Sequence, residues 1–133
     1  MERTQLKFYS LLPESLRAVV ARHYQPLDSA TADYLRDELN DYRKKAAVES
    51  LKNVCIDIEL VDRMIDTLKK LLTDFHRYSD VEKTVISAAA RYFLDSEDVQ
   101  QDFSDRFGFD DDLAVLNAAL LAIDKEDMIV VRG

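Results

Sequence analysis

Between Val61 and Phe75 the apolar residues Val61, Met64, Ile65, Leu68, Leu71, Leu72 and Phe75 recur at steps of three and four. That spacing lines up side chains along one face of an α-helix, whereas a strand would need alternation at every second residue. A core helix is therefore predicted over about residues 57–77. The chain holds only two glycines and two prolines in 133 residues. An all-β protein needs turn residues every eight to twelve positions or so, and this composition does not supply them. The expectation is an all-α, single-domain bundle of five or six helices covering residues 1–133. With 47% hydrophobic residues, one continuous core can be built.

Local signals divide the rest of the chain. Pro13 followed by Glu14 reads as a first helical turn, because proline loses no bond there and an acid complements the helix dipole. Leu16, Val19, Val20 and Tyr24 then follow at helical spacing, which predicts a helix over 13–24. After Pro26, Ser29 or Thr31 is placed to cap a second helix carrying Leu35, Leu39, Tyr42 and Ala46 on one face. The pattern breaks around Asn53. Ser79 with Glu82 three residues on is a capping-box signature, opening a helix to about Leu94 with Val81, Val85, Ala88, Ala89, Tyr92 and Phe93 inward. Ser96 is placed to cap a short helix over 97–105, and Gly108 to supply a sharp turn. A last helix is predicted over about 111–124. The helices at 57–77, 79–94 and 111–124 are expected to form the core, with the 95–112 segment bridging them. The apolar residues after Asp127 form either a packed tail or an edge for another chain.

Charge is concentrated in one place. Asp95, Glu97, Asp98, Asp102, Asp105, Asp110, Asp111 and Asp112 are eight of the 26 acidic residues, and Arg106 is the only base among them. Eight negative charges and one positive leave −7 of the formal −8 within residues 95–112. Phe103, Phe107 and Phe109 are interleaved with the acids, and core packing is the expected role for Phe103 and Phe109. Such a balance disfavours direct contact with nucleic acid, whose binding draws on clustered Lys and Arg. No apolar run approaches the roughly 20 residues needed to span a bilayer, and no signal sequence is evident at the start. Cys55 is the single cysteine, so no internal disulfide is expected, and the expected location is cytoplasmic.

Within that region, Asp98, Asp102 and Phe103, followed by Gly108, Phe109, Asp111, Asp112 and Leu113, fall at the spacing of the YkvA family of small bacterial helical domains, which the chain resembles over roughly residues 81–123. The family usually carries prolines before both leading aspartates. Here those places are taken by Glu97 and Gln101, which return backbone donors and permit a more regular helix. The resemblance implies a helical domain and little about activity.

The acids support several roles. In the structural role, Asp98, Asp111 and Asp112 cap helices or pair with Arg91 and Arg106, each contributing about 0.5–2 kcal/mol. In a docking role, Asp105, Phe107, Asp110, Asp111 and Asp112 bind a partner protein with a basic surface, with aromatic burial giving affinity and charge giving steering. A metal role would place Asp98, Asp102, Asp111 and Asp112 around Mg²⁺ or Ca²⁺, hard cations that take oxygen ligands, either as a switch or in a metal-dependent hydrolase. The EF-hand pattern is absent. A further alternative is mimicry of a DNA phosphate track to inhibit a nucleic-acid-binding protein. Glu97 with Asp102 is the one pair suited to acid and base, and no phosphate loop, nucleophile elbow or zinc-protease motif occurs. His23 and His76 stand at predicted helix ends, where an imidazolium meets the negative end of the dipole. Cys55 lacks an activating neighbour other than Lys52 and reads as an inert thiol. The expected function is a small acidic interaction module or regulatory adaptor working through 95–112, and self-association is left open.

Overall fold

The structure is a computed structural model describing residues 2–52, 56–95 and 109–131. Among these are six α-helices: α1 (Arg3–Leu11), α2 (Arg17–Arg22), α3 (Ser29–Ser50), α4 (Ile58–Thr73), α5 (Asp80–Phe93) and α6 (Asp110–Ala122). Short 3₁₀ turns span Glu14–Leu16, Phe75–Arg77 and Glu126–Met128, and no strand occurs among the described residues. The all-α bundle is as expected from the periodicity.

Helix α1 was not anticipated. Its N-cap is Glu2, whose carboxylate accepts from the backbone N–H groups of Thr4 and Gln5 at 2.7 and 3.2 Å. Glutamate is outside the usual set of capping residues, so the start carries no sequence signal. The predicted helix over 13–24 is a 3₁₀ turn leading into the shorter α2. The cap of α3 is Asp28, not Ser29 or Thr31: Asp28 Oδ1 accepts the Thr31 N–H at 2.7 Å. Hydrogen bonding from the Thr31 side chain, and then from its N–H, holds the Asp28 carboxyl below its ordinary range. The capping box at α5 is complete, with the Glu82 N–H donating to Ser79 Oγ and the Ser79 N–H to Glu82 Oε1.

The apolar stripe of α4 is buried as its spacing requires, and Leu60 is buried with it. The centre of the molecule, however, is α5. Every residue from Val85 to Ala90 is buried, and α5 packs against α1, α2, α3, α4 and α6. Ser87 and the three alanines that follow it make this enclosure feasible, because short side chains let neighbouring backbones approach on all sides. Arg91 Nε donates to Ser87 Oγ at 2.9 Å, so the buried hydroxyl of Ser87 has a partner.

Helix α6 ends in a tight reversal. Asp124 has φ of 61°, the only positive value among the described non-glycine residues. The N–H of Lys125 donates to the carbonyl of Leu120 and that of Asp124 to the carbonyl of Leu121, a complete Schellman motif. The chain then returns along α6, where Asn117 donates to and accepts from the backbone of Val130 at 2.9 and 3.0 Å. Val130 is buried, Met128 and Ile129 pack against the core and Val131 is exposed, so among the described residues the tail is packed as far as Val130.

Candidate functional site

The acidic segment departs from the end of α5 and rejoins the described chain at α6. At the first of these points Asp95 Oδ2 lies 3.0 Å from His23 Nε2, at the C-cap of α2. The His23 ring stands edge-on to Tyr92 one turn back on α5, with centroids 6.3 Å apart. The sequence placed His23 at a helix end but held no sign of its partner, 72 residues away.

At the second point Phe109 occupies the N-cap of α6 and is 1% exposed, within the hydrophobic core. Core packing was the expected role for this ring. Because Phe109 holds the N-cap, the aspartates that follow are not N-cap acceptors. Asp110, Asp111 and Asp112 form the first turn of α6, where their charge complements the unbonded N–H groups of the helix start. Asp110 and Asp111 are exposed, and Asp112 is 4% exposed. Burial of Asp112 sets its carboxylate apart from the exposed pair that precedes it. Two adjacent carboxylates are thus displayed beside a fixed aromatic anchor.

Of the other residues singled out, Asp98, Asp102, Asp105, Phe107, Phe103 and Gly108 lie outside the described residues, as do the predicted helix over 97–105, Ser96 and Cys55. The candidate metal set is therefore represented only by Asp111 and Asp112. Among the described residues no group of three or more His, Cys, Asp or Glu side chains is placed to hold a metal ion. His76 is exposed within the 3₁₀ turn after α4, its ring edge-on to Phe75 at 6.1 Å. No described helix is long and apolar enough to cross a membrane. Family models, curated proteins and solved structures were compared with the chain, and none matches it.

Proposed function

We infer that the chain is a small acidic interaction module that binds a partner protein with a basic surface through residues 95–112. The observation that carries this is the pairing of exposed Asp110 and Asp111 with buried Phe109 at the start of α6. Carboxylates held on a rigid helix turn present charge at a fixed place, so little conformational freedom is lost when a Lys or Arg meets them. Seven net negative charges in the whole segment would speed encounter with a basic surface and make it salt-dependent.

The test is capture from the native host with the immobilised chain, compared with an Asp110→Asn/Asp111→Asn variant and repeated at raised ionic strength. A partner retained by the wild type and lost both in the variant and in salt, at unchanged thermal stability, supports the inference. Equal retention by the variant overturns the role of these two residues.

A further inference from the structure

On residues unrelated to the acidic segment, the geometry points to a second site, a cleft that takes a small organic molecule bearing a single carboxylate or phosphate group. The cleft encloses about 310 Å³ and gathers side chains from three separate stretches: Lys70 and Asp74 at the end of α4, Arg77 and Tyr78 in and after the 3₁₀ turn, and Lys125 and Asp127 beyond the Schellman turn of α6. That volume lies near the small end of ligand sites, which run from about 300 to 1,000 Å³.

Charge selects the ligand class. Three cations and two carboxylates line the cleft, and three minus two leaves one positive charge, in a chain whose overall charge is −8. Lys70 is already engaged, its Nζ 3.6 Å from Asp74 Oδ2. Arg77 and Lys125 make no ion pair within the protein among the described residues. Lys125 is nevertheless held in position, its Nζ 5.9 Å from the centroid of the Tyr78 ring. An anion offsets the excess, whereas a cation would be repelled by it. The guanidinium of Arg77 offers paired N–H donors matching two oxygens of a carboxylate or phosphate.

Two further features bear on the body of the ligand. The Tyr78 hydroxyl is pushed up from its ordinary value, first by burial and then by the charge of Asp74, so it stays protonated and able to donate to an anionic oxygen. The Tyr78 ring and Met128 supply apolar surface alongside the charges, which suits a ligand with a carbon skeleton behind its head group.

Amide NMR of the full ¹⁵N-labelled chain provides the test, with benzoate, inorganic phosphate and benzamidine as probes. Saturable shifts centred on residues 77, 78 and 125–128 with benzoate, or with phosphate, and none with benzamidine, are expected. Benzoate alone identifies a carboxylate site and phosphate alone a phosphate site. Arg77→Gln should weaken the effective anion by about tenfold, and Lys125→Met, which keeps an apolar stem over Tyr78, should weaken it in the same sense. Failure of both anions to saturate, equal binding by benzamidine, or undiminished binding in both folded variants would overturn the site.

Discussion

His23 and Asp95 fasten the end of α2 to the point where the chain leaves α5, with Nε2 and Oδ2 3.0 Å apart. Their side chains are 22% and 18% exposed, so solvent screens the contact less than it would a surface pair. In a double-mutant cycle with His23→Ala and Asp95→Asn, the coupling between the two should be about 1 kcal/mol. Urea unfolding measures it. A coupling near zero would mean that His23 merely packs on Tyr92.

Ser79 and Glu82 bond reciprocally at the start of α5, the helix on which the whole bundle closes. Ser79→Ala should lower unfolding free energy by about 1 kcal/mol, and Ser79→Asp should recover most of it, since aspartate also caps. Denaturant midpoints at constant slope provide the check.

Alkaline pH should destabilise the N-terminal part of the fold. Tyr24 is pushed up to about 12, mainly by burial and then by the nearby Tyr9 and Glu2, and Tyr9 is raised by burial as well. In the unfolded chain a tyrosine titrates near 10. A raised folded value means the native state holds its proton more tightly, so the contribution to stability is complete below pH 10 and is lost as pH climbs toward 12. Thermal unfolding scans across that window should show the decline, and Tyr24→Phe should flatten it. An identical decline in the variant would place the cause elsewhere.

Asp124 adopts a left-handed conformation that glycine enters freely and β-branched residues resist. Its carboxylate also lies 3.2 Å from Lys7 Nζ, an exposed pair of small worth. Asp124→Gly should therefore match or exceed the wild type, whereas Asp124→Val should lose about 1–2 kcal/mol. Equal stability of the valine variant would show that the turn can relax.

Legibility in the sequence followed the range of the interactions concerned. The stripe of α4 and the Ser79–Glu82 box are local and were readable, because a helical period or a three-residue offset suffices to specify them. Helix α1 was hidden by its glutamate cap, and Asp28 was passed over because two other capping residues follow within three positions. The central place of α5 was less visible than that of α4. A helix buried all round has no polar face to set off its apolar one, and Ser87 with its alanines reads as weakly hydrophobic. Of the candidate site, the acidic run and the buried Phe109 were apparent from composition and spacing. The burial of Asp112 and the hold of His23 on Asp95 depend on how distant helices meet, and distant meetings leave no period. The cleft between α4 and the C-terminal turn was missed for the same reason: Lys70, Arg77 and Lys125 look like scattered surface charges until the chain reverses at Asp124.

The enclosure of α5 by five other helices has a consequence for exchange with solvent. Amide protons between Val85 and Ala90 reach water only when the bundle opens as a whole, so their deuterium uptake reports global unfolding and not local fraying. The acidic run is thus rooted, at its upstream end, in the helix whose amides are expected to exchange most slowly among the described residues.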